Sequence, residues 1–179
     1  MEFDVVQGDI AAQSADALVN AAGTSLEMGS GVAGALKRGA GAGINEEATE
    51  KGPVDLGKVA VTDAYDLDAE YVIHAAAMAH YGSGEATRES IRDATRNALE
   101  RADELGCRSL VIPALGCGVA GFDLVTGAEL IGEEIGRYEP ETLAEIRFIA
   151  YSDDEYETIR AATGTAEPSG MDGESESDR

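Results

Sequence analysis

One six-residue pattern occurs twice in this chain. Gly29-Ser30-Gly31-Val32-Ala33-Gly34 and Gly116-Cys117-Gly118-Val119-Ala120-Gly121 both read G-x-G-V-A-G. Each copy runs into a stretch with helical spacing. A glycine-rich turn at the start of a helix presents unpaired backbone N–H groups. Together with the helix dipole these hold a phosphate without lysine or arginine. Taken singly, such a turn is a weak signal that is equally well read as a tight turn and a helix start. The dinucleotide-binding form also needs a preceding first strand and an acidic strand end about 20 residues on. The corresponding positions here are Val54-Asp55 beside a Gly-Pro turn and Glu141 beside Pro140, and neither has that character.

The rest of the chain alternates short apolar runs with amphipathic ones. Phe3–Gln7, Ala17–Asn20, Val59–Thr62, Tyr71–His74, Leu110–Pro113 and Ile146–Tyr151 read as strands. Continuous runs such as Leu110-Val111-Ile112 predict strands covered on both faces. Helices are expected over Val32–Arg38, Ile44–Lys51, Ser83–Leu105, Asp123–Tyr138 and from Ser152 through Ile159. Asp123 is placed to cap the fourth of these, and Gly106 to close the third. Strands and helices in alternation predict an α/β fold, a three-layer α/β/α sandwich.

Composition narrows the function. The 179 residues hold 35 acids against 13 lysines and arginines, a formal net charge of −22. The stretch 164–179 has five acids and one arginine and too few apolar residues to stay ordered. It reads as an acidic tail behind a single domain over 1–163, and it leaves −18 on the body. The acidity therefore belongs to the folded surface. It argues against a basic face for nucleic acid and suits a protein kept soluble at high salt. No apolar run approaches the ~20 residues that span a bilayer, so no membrane partner is expected. Two cysteines, Cys107 and Cys117, are too few for a disulfide framework or a cysteine-based zinc site. A reducing cytoplasm is the expected location, with no metal and no cofactor. A monomer is the expected state. His74 reads as a packed, hydrogen-bonded histidine and His80 as a loop residue.

The motifs together resemble the macro domain, the ADP-ribose-binding module. The resemblance rests on VQGDI (Val6–Ile10), ALVNAAG (Ala17–Gly23), LEMGSGVAGALKRGAG (Leu26–Gly41), YVIH (Tyr71–His74), VIPALGCGVAGFD (Val111–Asp123) and FIAYSD (Phe148–Asp153), in this order over Glu2–Thr163. The GSGVAGAL segment looks most like archaeal and viral members, and GCGVAGF is also similar to the macro-histone form. The resemblance implies a mixed central sheet with the ligand lying across a cleft at strand ends. It implies that Asp9 accepts a hydrogen bond from the adenine amino group, that Ile10 touches the adenine edge and that Tyr151 stacks on the ring. Asn20 matches the residue that faces the distal ribose. Gly29, Gly31 and Val32 match the first phosphate loop, and Gly116, Cys117, Gly118, Val119 and Ala120 the second. Read locally, Asp9 is also a helix cap, Asn20 a turn former and Tyr151 a core aromatic. Cys117 has no basic neighbour in sequence to make it a nucleophile.

The chain departs from the family's hydrolases at two places. Gly23 stands where N-A-A-N has its second Asn, and Ala33 where an Asp follows ten residues later. Neither side chain can act as acid, base or hydrogen-bond partner. Ala120 replaces the Phe or Tyr found against the distal ribose. The resemblance thus leaves several readings open: release of ADP-ribose from modified proteins or from small derivatives (O-acetyl-ADP-ribose, ADP-ribose 1''-phosphate), with Asn20 positioning the ribose; plain binding of ADP-ribose or an ADP-ribosylated protein; and a different α/β nucleotide-binding protein.

Overall fold

The computed structural model describes residues 1–79, 85–118 and 121–165. Six strands form one mixed sheet: β1 (Asp4–Gln7), β2 (Ala17–Gly23), β3 (Val59–Asp63), β4 (Tyr71–Met78), β5 (Ser109–Ile112) and β6 (Glu145–Ala150), in the order β1-β6-β5-β2-β4-β3. All neighbours pair in parallel except β3, which runs antiparallel to β4 at the edge. The carboxyl ends of five adjacent strands therefore point the same way. At about 4.8 Å between strands, that rim is roughly 19 Å long from β1 to β4.

Alternation along the strands sorts the core into two layers. Leu110 and Ile112 of β5, Ile146 and Phe148 of β6 and Ile73 of β4 face α3 (Arg88–Glu104), α4 (Leu124–Arg137) and α5 (Asp153–Thr163). Leu18, Val72, Val111 and Ile149 point the other way, against α1 (Gly31–Ala40) and α2 (Gly43–Lys51). The expected α/β/α sandwich is observed, with all six strands close to their expected positions. β2 and β4 are buried along nearly their whole length, as strands covered on both sides must be.

The third helix starts later than its apolar spacing suggests, at Arg88 instead of Ser83. Its start is fixed by a reciprocal cap: Thr87 Oγ1 accepts from the Ser90 N–H at 2.9 Å, and Ser90 Oγ accepts from the Thr87 N–H at 2.8 Å. Ahead of the cap, Ala86 bridges to Met78, which holds this segment extended. His80, Val119, Ala120 and residues 166–179, most of the expected acidic tail over 164–179, lie outside the described residues. No helix among the described residues is long and apolar enough to cross a membrane.

Candidate functional site

The turns that leave β1, β2, β4, β5 and β6 at their carboxyl ends enclose a cavity of about 460 Å³. That is within the range of small-molecule sites, and its place outside the strand ends is where ligands bind in open α/β sheets. Gly8, Asp9 and Ile10 follow β1, and Ile149, Tyr151 and Glu155 come from β6 and the start of α5. Ala21, Ala22 and Met78 close the other end from β2 and β4. Ser30, Gly31, Val32, Ala35 and Arg38 form one long wall, and Pro113, Ala114, Gly116 and Gly118 form the opposite one.

At the β1 end Asp9 caps a single 3-10 turn, Ile10–Ala12: its Oδ1 accepts the Ala11 N–H at 2.9 Å. The local reading of Asp9 as a cap is therefore correct. The same residue also lines the cavity, and its Oδ2 has no bond among the described residues. Tyr151 is 76% exposed and is no core aromatic; its N–H is held by Glu155 Oε1 at 2.7 Å. An apolar ring left open beside Ile10 and Ile149 forms a face on which a flat group can stack.

The long wall is the start of α1. Gly31 opens that helix with φ +65°, a backbone conformation that suits glycine. Ser30 sits at the cap position but its side chain caps nothing, and the first turn holds no acid. Among the described residues no side chain takes the first N–H groups of α1, and Gly31 and Val32 line the cavity. On the opposite wall Gly116 has φ +79°, and a Cβ there would lie 2.6 Å from that of Ala86. Gly118 differs: among the described residues an added Cβ meets nothing within 4 Å.

Seven of the twelve residues singled out from the sequence come together around this cavity: Asp9, Ile10, Gly31, Val32, Gly116, Gly118 and Tyr151. Asn20 does not. It is fully buried, with Nδ2 donating to His74 Nδ1 at 3.0 Å. His74 Nε2 in turn donates to Thr62 Oγ1 at 2.9 Å, and the Thr62 hydroxyl donates to the Asp63 carbonyl at 2.9 Å. Burial lowers the His74 pKa to about 4, against a smaller raising effect of Glu47. Asn20 is therefore part of a buried polar bridge between β2, β4 and β3, not of the cavity. Gly29 also stays off the wall. Cys117 turns away from the cavity: its thiol lies 3.5 Å from the Leu115 carbonyl and packs where a Gly127 side chain would stand. Burial, with the charges of Asp123 and Glu155, pushes that thiol up to about 12, which removes it as a nucleophile. Val119 and Ala120 lie outside the described residues.

Arg38 and Glu155 were not singled out from the sequence. Arg38 follows Gly31 and Ala35 on one helical stripe, the i, i+4, i+7 spacing, and that spacing was the available signal. Glu155 lies in the first turn of α5, where the Ser152 cap turns it back toward Tyr151.

A mixed α/β sheet with glycine loops over the carboxyl ends of its parallel strands is an architecture that places a ligand cleft at those ends. The chain belongs to the macro domain family, whose model matches residues 19–131. It is 40% identical over 167 residues to an uncharacterized protein of Mycobacterium tuberculosis, covering 93% of this chain and 46% of that one. The chain thus spans about half the length of such curated relatives. An uncharacterized protein of Sulfolobus acidocaldarius is 38% identical over 164 residues and is covered to the same 89% on both sides. Among solved structures, a Trypanosoma brucei macrodomain in complex with ADP-ribose superposes with a TM-score of 0.78 at 27% identity, over 89% of this chain and 68% of that one. An Oceanobacillus iheyensis macrodomain reaches a TM-score of 0.81 at 24% identity, over 89% and 90%, which supports the fold.

Proposed function

We propose that the cavity binds ADP-ribose, free or attached to a protein. One observation carries this reading: a single elongated cavity joins a free carboxylate oxygen and an open aromatic face at one end to an uncapped helix start and a glycine loop along its walls. The Asp9 carboxylate suits an amino group on a flat ring, Tyr151 suits the ring, and the α1 amides suit a diphosphate. The Trypanosoma brucei macrodomain with ADP-ribose supports the choice of ligand. Calorimetry tests it. ADP-ribose should bind more tightly than NAD, and the reverse order would overturn the reading in favour of another nucleotide.

Binding without turnover fits the residues best. Ala33 is 1% exposed and Gly23 ends β2, so neither position of the family's hydrolases offers a functional side chain. The carboxylates on the wall, Asp9 and Glu155, each hold a backbone N–H at the ring end of the cavity. Mono-ADP-ribosylated protein incubated with this chain should keep its label. Release over many turnovers would instead make the protein a hydrolase of ADP-ribose linkages, working with water activated by the substrate's own phosphate. We further read the −22 charge as adaptation to concentrated salt, and the free thiols Cys107 and Cys117 as suited to a reducing cytoplasm. Thermal melting in dilute and in molar salt tests the first, with a higher melting temperature expected in molar salt.

A further inference from the structure

We infer that Arg38 is the charge-reading residue of this cavity and sets its preference for ligands carrying a diphosphate. The inference rests on the cavity being the ligand site proposed above.

Among the described residues that line the cavity, Arg38 is the only cation. The chain has few cations to spare, and most of its arginines are bound to acids: Arg92, Arg96, Arg101, Arg137, Arg147 and Arg160 each sit in an ion pair. Arg38 makes no ion pair or hydrogen bond among the described residues, although Asp9 and Glu155 share its cavity. Both of those carboxylates are turned to backbone N–H groups instead.

The guanidinium also has a definite direction. A Cβ built on Gly34 would lie 3.3 Å from Arg38 Nη1 and 2.9 Å from the Gly29 carbonyl oxygen. Arg38 therefore leans back over Gly34 toward the glycine loop, as long side chains on a helix do. Glycine at 34 leaves the room for this. The charge consequently lies on the side of the α1 start, where the uncapped amides face the cavity. A fork of N–H donors and a row of backbone amides then address one group from adjacent directions, which suits the two phosphates of a nucleoside diphosphate. In a protein of net charge −22, a local cation also offsets the general repulsion of an anionic ligand.

The test is a charge series measured by calorimetry with ADP-ribose. Arg38→Lys should lose only a few-fold in affinity, Arg38→Gln about tenfold and Arg38→Glu about a hundredfold, while the melting temperature stays the same. Gln and wild-type affinities that coincide would overturn the inference. So would Lys and Glu variants that are equally impaired, since that pattern means packing and not charge. Wild-type protein that fails to bind ADP-ribose at all would instead overturn the proposed ligand, and this inference with it.

Discussion

The two G-x-G-V-A-G loops share a sequence but not a role in the structure. The first runs straight into α1, whose leading N–H groups no side chain caps among the described residues. The second is followed by α4, and there Asp123 takes the Thr126 N–H at 2.9 Å and its hydroxyl at 2.8 Å. An anion is drawn to a helix start only where the donors are free. On the proposed reading the first copy is the helix-end site for the ligand's phosphates. The second contributes a bare edge of loop, Gly116 and Gly118, to the same cavity. The repeated motif carries no common backbone shape, since φ is positive at Gly31 in the first copy but at Gly116 and Gly121 in the second, and the capping residue that follows decides whether the helix behind it is available.

The comparison can be broken most forcefully within the second loop. Gly116→Val sets a side chain against Ala86 and Ile91 at φ +79° and should cost about 4 kcal/mol of stability, read as a fall in the urea midpoint. Gly118→Val meets no described residue within 4 Å of its Cβ, so it should leave the midpoint unchanged while blocking the cavity and abolishing ADP-ribose binding in calorimetry. If both variants were equally stable, the two glycines would not differ as described.

Acid should act on the fold without touching either loop. The folded pKa of His74, about 4, lies below its unfolded value near 6.5. The unfolded chain therefore takes up the proton first. The stabilising effect is complete above pH 6.5 and is lost as the pH falls toward 4, amounting to about 3 kcal/mol. His74→Gln should flatten that part of the stability–pH curve; an unchanged slope would show that another group titrates there.

Two smaller effects sharpen the contrast. Asp9→Ala should weaken ADP-ribose binding by about 2 kcal/mol, because a donor on the ring loses its partner. An unaltered affinity would place the ring elsewhere. Asp123→Ala should lower stability by about 1 kcal/mol through the lost cap and spare the affinity, whereas Ser30→Ala should change stability by less than about 0.5 kcal/mol.

The sequence carries the architecture more completely than the site. Apolar runs such as Leu110-Val111-Ile112 and the spacing of Ile91, Ala94, Ala98 and Ala102 are local patterns with a local meaning, and the strands and helices follow them. Asp9 and Tyr151 are legible because they stand just past strand ends. Asn20 is misleading because the apolar run suggests a strand ending there, whereas β2 continues to Gly23 and the Asn20 amide is turned to His74, 54 residues away. No local pattern encodes such a partner. Arg38 is hidden in the opposite sense, as an ordinary helix cation whose direction depends on the glycine at position 34.

The central claim is that one cavity holds ADP-ribose against the open start of α1 and the bare edge of the second loop. Amide NMR during titration with ADP-ribose tests it directly. Large shifts are expected at Gly31, Val32, Gly116 and Gly118, with Thr126 at the capped start of α4 unmoved. Shifts centred on Thr126, with Gly31 and Val32 silent, would contradict it.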